Sequence, residues 1–149
     1  MKLSLDYVAG FCDGDGCFTI SIARHRRSND KIYVEYKPMV LVSNTNRKIL
    51  EDFKKTFKAG SIYLGNYDLE RVKKNGWKTR WNWVLNNRQA TEFCSIMLNK
   101  LIIKRAQAEI LIKLQSTRST RGKKTMPNIL KKQKEMFKKI RKLNKRGID

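Results

Sequence analysis

The sequence has few acidic residues and no long apolar run. Only 13 Asp and Glu stand against 34 Lys and Arg, which gives a formal net charge of +21. No stretch approaches the ~18 apolar residues of a membrane-spanning helix. The basic segments also carry strand patterns, which argues against binding at an anionic membrane surface. We expect no membrane partner and no small-molecule substrate, because so large a positive charge is typical of proteins that bind a polyanion, and nucleic acid is the leading candidate.

Cysteine is scarce as well. Cys12, Cys17 and Cys94 are odd in number and show no C-x-x-C spacing, which predicts neither a disulfide framework nor a zinc site. No basic segment followed by an apolar run stands at the start of the sequence, so we expect no secretory signal or transit peptide. These features favour an intracellular protein, in an organelle (chloroplast or mitochondrion) where it is also made or in a prokaryotic cytoplasm.

The length of 149 residues suits one domain that can bury a core. No internal repeat is present. We expect a single domain over residues 1–149, with its core in 3–116. Residues 117–126 are rich in Ser, Thr, Lys and Arg without apolar periodicity, which predicts a basic connector. Residues 127–146 predict a basic helix with one apolar side.

The N-terminal segment predicts a short helix that ends on two acids between glycines and passes directly into a strand. Ser4 suits the N-cap, and Leu3 and Val8 occupy the two positions of a hydrophobic staple. Gly14 and Gly16 permit the backbone conformations that end a helix. The last carbonyls of the helix lack intrahelical partners, so together with the acids they suit a divalent cation. The alternative is an Asp-Gly turn between two ordinary elements.

Two small residues, Ala9 and Gly10, stand in the middle of this helix, where glycine costs roughly 1 kcal/mol relative to alanine. Such a cost usually has a packing reason, because small residues let a second helix approach closely. The motif of the LAGLIDADG homing endonucleases, in the variant AGF-DGDG, resembles the run Val8-Ala9-Gly10-Phe11-Cys12-Asp13-Gly14-Asp15-Gly16. A site built from two such helices needs two chains here, so we expect a homodimer on a pseudo-palindromic site. The expected interface residues are Tyr7, Ala9, Gly10 and Asp13.

Period-two alternation predicts four strands in two hairpins. The first hairpin joins the strand after the motif to a strand at 32–42, in which Pro38 favours an edge position or a bulge. The second joins strands at 61–67 and 78–85 across a basic loop at 68–76.

Apolar residues at helical spacing predict the remaining elements. One helix ends at Ala59-Gly60, and others begin at Asn87, after a break near Leu101-Ile102, and at Pro127. The inner faces of the middle two are expected to comprise Ala90, Phe93, Ile96, Met97 and Leu101, then Ala106, Ile110 and Leu114. The order α-ββ-α-ββ-α-α-α is the α+β arrangement that the resemblance implies: a saddle-shaped, four-stranded antiparallel DNA-binding sheet backed by helices, with the LAGLIDADG helix at the dimer interface.

One face of this sheet is predicted to be polar and basic, which suits a β-ribbon in the major groove of double-stranded DNA. A strand of about nine residues spans roughly 30 Å, enough to follow about nine base pairs. His25 is the only histidine and lacks the partners of a catalytic or metal site. The expected DNA contacts are Thr19, Ser21, Ala23, His25, Arg27, Glu35, Lys37, Ser61, Tyr63, Lys78, Arg80 and Asn82.

The resemblance also implies catalytic roles. Asp15 corresponds to the acid that binds the metal, with the Gly14 carbonyl as a further ligand, while Asp13 is left as a capping or structural acid. Mg²⁺ is the expected cofactor, with Mn²⁺ or Ca²⁺ able to replace it for binding. Lys104 resembles the active-site lysine, and Asn44 stands where the family often has glutamine. A further basic group is expected from Arg47 or Lys48, and these two alternatives stay open.

Three functions are consistent with the sequence. The first is a Mg²⁺-dependent homing endonuclease, intron-encoded, that makes a double-strand break in a long pseudo-palindromic target. The second is an intron maturase, or another non-cleaving nucleic-acid-binding protein on the same scaffold. The third is a basic architectural protein with weak sequence preference. Asp15 and Lys104 favour the enzyme.

Overall fold

The computed structural model describes residues 1–65, 69–119 and 124–145. Helices and strands alternate in the α+β manner predicted, with one helix more than expected in the described residues. In chain order the elements are α1 (Leu5–Asp15), β1 (Gly16–Arg26), β2 (Ile32–Asn44), α2 (Arg47–Phe57), β3 (Ser61–Leu64), α3 (Leu69–Lys74), β4 (Trp81–Asn86), α4 (Asn87–Met97), α5 (Arg105–Ser116) and α6 (Pro127–Leu143).

The four strands form one antiparallel sheet in the order β1-β2-β4-β3. The β1–β2 ladder runs without a break from Gly16 opposite Val42 to Arg26 opposite Ile32. β2 lies between β1 and β4 only from Met39 to Asn44. Pro38 comes just before this stretch, where the described strands leave one side of β2 unpaired, so the predicted edge position is confirmed and the β1–β2 ladder has no bulge there.

The core lies between one face of the sheet and the helices. Phe18, Val40, Trp83 and Leu85 point from three strands into it and are fully buried. Trp83 packs edge-on against aromatic rings from the helices, with ring centroids 5.3 Å from Phe53 and 5.5 Å from Phe93. Its indole N–H donates to the Ala59 carbonyl at 3.0 Å, so the polar atom of this ring is satisfied as well.

The helix α1 begins and ends as the sequence predicts. The Ser4 hydroxyl accepts from the Tyr7 N–H at 3.3 Å, and Leu3 and Val8 are both buried. At the other end a Cβ on Gly16 would lie 2.5 Å from the Cys12 carbonyl oxygen, whereas one on Gly14 would meet nothing within 4 Å. Of these two glycines, only Gly16 leaves no room for a side chain, because β1 starts there against the last turn of α1.

The connection between β3 and β4 differs from the prediction. The expected loop at 68–76 contains a short helix, α3, which is anchored by the buried side chain of Val72. β4 begins at Trp81 and not at residue 78, and β3 ends at Leu64; the predicted remainder of that strand includes 66–67, outside the described residues. The segment is polar and basic and has no apolar periodicity, so the sequence did not predict a helix. Val72 alone packs α3 against the rest of the protein.

Some predicted inner faces are wrong. Ile96 and Ala106 are exposed, since neighbouring residues of α4 and α5 already cover the sheet. At the far end of the first hairpin Ile22, Val34 and Ile32 are exposed too, because this part of β1 and β2 extends beyond the helix layer. No helix in the described part of the chain combines the length and apolar character needed to cross a bilayer.

Candidate active site and nucleic-acid interface

Asp15 is the last residue of α1 and is exposed. The N–H of the next residue, Gly16, turns back to the Cys12 carbonyl and closes the helix. The structure gives Asp15 no ion pair or hydrogen bond among the described residues, so its carboxylate is open to solvent at the negative end of the helix dipole. The adjacent Gly14 is also exposed.

Asp13 is held within the chain by backbone groups. Its two carboxylate oxygens accept from the N–H groups of Ile102, Ile103 and Lys104 at 2.9, 3.1 and 2.9 Å. These N–H groups belong to the three residues just before α5, the last of which, Lys104, is its N-cap residue, so Asp13 ties the entry of α5 to the end of α1. The contact fixes the backbone of Lys104 beside the end of α1.

Asn44 and Arg47 lie near the same end of the sheet. Asn44 is opposite Trp81 in the β2–β4 register, and its side-chain oxygen accepts from the Asn46 N–H at 2.8 Å. The Arg47 guanidinium lies over the Trp81 ring, 4.5 Å from the centroid, and its Nε is 3.0 Å from Glu51. Since Gly16 pairs with a residue two positions before Asn44, the end of α1 and the end of β2 are neighbours.

Lys48 is four residues before Asp52 on α2, a spacing that puts the two on one side of the helix. The amino group of Met1 lowers the pKa of Asp52 through a hydrogen bond at 2.6 Å, against the effect of burial, and the charges of Lys55 and Lys48 add to it. Lys48 is thus associated with Asp52, while Arg47 is associated with Trp81. Of the two residues left open by the sequence, Arg47 is the one beside the end of β2.

The outer face of the sheet carries most of the predicted DNA contacts. The β1–β2 register places Glu35 opposite Ala23 and Lys37 opposite Ser21, and the β3–β4 register places Tyr63 opposite Asn82. Ser43 was missed, although continued alternation past Val42 would have found it; its hydroxyl donates to Asn82 at 2.7 Å. By the same alternation this face comprises Thr19, Ser21, Ala23, His25, Glu35, Lys37, Ser61, Tyr63 and Asn82.

The middle of this face is less polar than predicted. Cys17, Met39, Leu41 and Val84 share it, and the last three are half-buried. Polar groups lie on either side of them, toward the far end of the hairpin and toward β3. The face therefore offers hydrogen-bonding groups in two separate regions.

Three predicted contacts lie outside the strands. Lys78 and Arg80 precede β4 and are exposed, and the Arg80 carbonyl accepts from the Gly65 N–H at 2.9 Å, which extends the β3–β4 pairing by one position. Arg27 belongs to the turn after β1, and its guanidinium lies 4.4 Å from the centroid of the Tyr33 ring. All three remain at the rim of the sheet.

Glu35 is engaged on this face. His25 Nε2 and Lys37 Nζ lie 3.0 and 3.3 Å from its Oε2. Partial burial raises the pKa of Glu35, but the hydrogen bonds from His25, Lys37 and Arg118 outweigh it and leave the pKa below its usual value. Arg118, at the end of α5, was missed because its position in a basic connector carries no signal in the sequence.

The exposed side of α1 is open and apolar. Tyr7 is 48% exposed, and a Cβ on Gly10 would meet nothing within 4 Å. Ile102 and Ile103, which follow the break after α4, are 85% and 67% exposed. Of the predicted interface residues, Ala9 is only 3% exposed and packs into the core of its own chain.

A metal ion fits this chain only in part. No group of three or more His, Cys, Asp or Glu side chains comes together in residues 1–65, 69–119 and 124–145. Mg²⁺, however, usually takes only one or two carboxylates and completes its shell with water and substrate phosphates. The exposed Asp15 carboxylate and the nearby Gly14 carbonyl are hard oxygen donors of the required kind.

Comparison with known proteins agrees with this arrangement. The family model described as LAGLIDADG endonuclease matches residues 8–79. A comparison with curated protein sequences found no match. Among solved structures, the homing endonuclease I-CvuI in complex with the I-CreI target has a TM-score of 0.75 at 20% identity, covering 97% of this chain and 83% of that chain.

Two further structures have the same fold. The archaeal intron-encoded homing endonuclease I-Vdi141I, complexed with DNA, has a TM-score of 0.74 at 19% identity and covers 97% of this chain and 86% of that chain. The homing endonuclease I-TnaI has a TM-score of 0.68 at 20% identity, with 97% of each chain covered. Because 97% of this chain is covered, the structural similarity extends into α6, whereas the sequence resemblance was expected to cover only residues 3–116. The family model thus matches the segment from α1 to just before β4, and the solved homing endonucleases share the fold of this chain.

Proposed function

We propose that this chain is a site-specific DNA endonuclease that acts as a homodimer with a divalent metal, Mg²⁺ in the first instance. The observation that carries the proposal is the pair of acids at the end of α1. The Asp13 carboxylate accepts hydrogen bonds from three backbone N–H groups. Asp15, two residues further on, is exposed and has no hydrogen bond or ion pair among the described residues. A free carboxylate can hold the divalent metal that activates water for phosphodiester hydrolysis.

The homodimer follows from the incompleteness of one chain. One chain offers a single Asp15 carboxylate and one glycine carbonyl, whereas a double-strand break needs a reaction on each of the two DNA strands. The exposed side of α1, with Tyr7 and Gly10 and the neighbouring Ile102 and Ile103, gives a second copy an apolar surface with room for close approach. A twofold axis through this surface brings two Asp15 residues together and makes the target pseudo-palindromic.

When bound, the divalent metal supplies an activated water, neutralises charge on the phosphate and stabilises the leaving 3′ oxygen. Asp15 and the Gly14 carbonyl are the proposed ligands from each chain. Lys104 is anchored to the end of α1 through Asp13, and Asn44 and Arg47 lie at the neighbouring end of β2. The roles we assign to these three residues are to orient water and to bind the phosphate. The stacking of Arg47 on Trp81 favours it over Lys48 for this role.

The sheet supplies specificity in this proposal. Its outer face carries the side chains of Ser21, Lys37, Tyr63 and Asn82 in the two polar regions, and a β-ribbon of this kind fits the major groove. The net charge of +21 adds sequence-independent attraction to phosphates. An intracellular, intron-encoded protein remains the expectation for its origin.

A cleavage selection tests the proposal. The protein is incubated with Mg²⁺ and duplexes that carry randomised centres, and the new ends are sequenced. Wild type is expected to produce recurrent ends within one pseudo-palindromic sequence. Asp15→Asn should retain binding and lose at least roughly 10³ in cleavage rate, as expected when a metal ligand is removed. Lys104→Met is expected to lose about 10².

The outcomes separate the alternatives. Cleavage by Asp15→Asn at the wild-type rate would overturn the catalytic assignment. Binding of DNA or RNA by wild type without any cleavage would favour a maturase or another non-cleaving protein. Sedimentation of the wild type and Gly10→Leu tests the dimer: the variant should shift to monomer with unchanged far-UV circular dichroism, and a wild type that sediments as monomer on DNA would contradict it.

A further inference from the structure

An acidic residue lies on the sheet face that the proposed function assigns to DNA. Glu35 lies toward the far end of the first hairpin, opposite Ala23, with its side chain on the outer face. DNA carries about one negative charge per 1.7 Å of duplex, so an ionised carboxylate here weakens the attraction to any duplex. Hydrogen bonds from three basic side chains keep this carboxylate ionised.

One of those basic side chains comes from the helix layer. The Arg118 guanidinium donates from one Nη to Glu35, and from the other to Asn87 Oδ1 at 2.7 Å and Gln115 Oε1 at 3.3 Å. Its side chain is only 17% exposed. Arg118 therefore reaches the outer face from behind the sheet, and its charge is directed at Glu35 and not at solvent.

The route of Arg118 is an open edge of β2. β4 pairs with β2 only from Met39 to Asn44, so the part of β2 that contains Glu35 has no strand beside it on that side among the described residues. Arg118 follows the end of α5 and enters at this edge. A duplex lying on the outer face would pass this edge with one of its phosphate strands.

The other described end of the connector borders the same region. A hydrogen bond with Asn29 is the main cause that lowers the pKa of Tyr33, and the charge of Lys124 contributes to it. Tyr33 lies two residues before Glu35 on the same face. Basic residues from both described ends of the connector thus stand beside the open edge of β2.

From this arrangement we infer that Arg118 is a DNA-phosphate contact that Glu35 keeps occupied in the free protein, so that Glu35 sets specificity by weakening binding to non-target duplex. The inference rests on the proposed function, since it requires DNA on this face. To bind phosphate, Arg118 must leave Glu35. On a target with cytosine at this position the freed carboxylate accepts from the N4 amino group; on other sequences it stays unpaired against the bases.

The test compares two variants that remove the same charge. Glu35→Gln changes the proposed restraint, and Glu92→Gln changes an exposed acid on α4 that pairs only with Arg88 in the described contacts. Binding to a scrambled duplex of about 30 base pairs is measured by fluorescence anisotropy over a salt series. Glu35→Gln should bind roughly tenfold tighter than wild type at about 0.1 M salt, with a log-log salt slope steeper by about one. Glu92→Gln should remain near wild type.

A double variant identifies the residue that is released. If Arg118 is the freed cation, the gain from Glu35→Gln should largely disappear in an Arg118→Gln background. An equal gain in both backgrounds, or an equal gain from Glu92→Gln, would overturn the inference. Glu35→Asp keeps the charge and serves as the second variant if Glu35→Gln lowers the melting temperature; it should bind scrambled duplex like wild type. A wild type that binds no duplex would instead overturn the proposed function.

Discussion

The two ends of the sheet hold their functional groups by different means. At the end beside α1, the Asp13 carboxylate bonds to backbone N–H groups, which fixes the start of α5 and with it Lys104. At the far end of the first hairpin, every contact described for the Glu35 carboxylate comes from a side chain. Backbone contacts suit groups that must stay in place for chemistry, whereas side-chain ion pairs can be exchanged for contacts with DNA. The position of each acid therefore separates a fixed region from an adaptable one.

Of the changes that test this comparison, removing the Asp13 carboxylate should have the largest effect on stability and cleavage. Asp13→Ala leaves three N–H groups at the start of α5 without their acceptor, and we expect a loss of about 3 kcal/mol in the free energy of unfolding. Cleavage should fall by roughly 10² or more, since Lys104 loses its backbone anchor. Urea denaturation and the cleavage assay measure the two effects.

Asp6→Ala is the matched control for Asp13→Ala. Asp6 is an acid on the same helix whose only described partner is the Lys100 side chain, at 2.6 Å on the surface. Asp6→Ala should lower the free energy of unfolding by less than about 1 kcal/mol. Equal losses for the two variants would show that the backbone anchoring of α5 has no special weight.

Adding one methyl group at the end of α1 should have the next largest effect. Gly16→Ala places a Cβ 2.5 Å from the Cys12 carbonyl oxygen, so backbone must shift, at a cost of about 1–3 kcal/mol. Gly14→Ala, where a Cβ meets nothing within 4 Å, should be neutral or stabilise by up to about 1 kcal/mol. Thermal unfolding of both variants measures this, and a reversed order would contradict the packing of β1 on α1.

Acid titration of the Glu35 cluster should give the smallest effect. The pKa of Glu35 is lowered in the folded state, so its contribution to stability is complete above the unfolded value of about 4.3. That contribution is lost as the pH falls through the folded pKa. The melting temperature of Glu35→Gln should therefore depend less on pH below about 4.3 than that of wild type. Parallel curves for the two proteins would show that the cluster does not stabilise the fold.

Much of the fixed region could be predicted from the sequence because its signals are local. The Ser4 cap, the Leu3 and Val8 staple and the acids between glycines all lie within one helix and its ends. The partners of Asp13 could not be predicted, since they lie 89 to 91 residues away along the chain. The contact between Arg118 and Glu35 could not be predicted either, since the two residues are 83 positions apart.

Exposed positions were the other source of error. The alternation at Ile22 and Val34 predicts burial, but burial depends on how far the helices extend over the sheet, which no local pattern gives. The α3 helix was missed because Val72 is its one buried residue. Proposed roles for Asp15, Asn44, Arg47 and Lys104 came from the motif resemblance, and the structure adds which backbone holds them.

The long sequence separation between Asp13 and its partners bears on how the protein is made. A nascent chain that has emerged only as far as α4 contains α1, the whole sheet and a net positive surface, so it can already meet nucleic acid. It lacks the start of α5, and the end of α1 is then without its anchor. On the proposed function, we therefore expect competence for cleavage only after synthesis has passed Lys104.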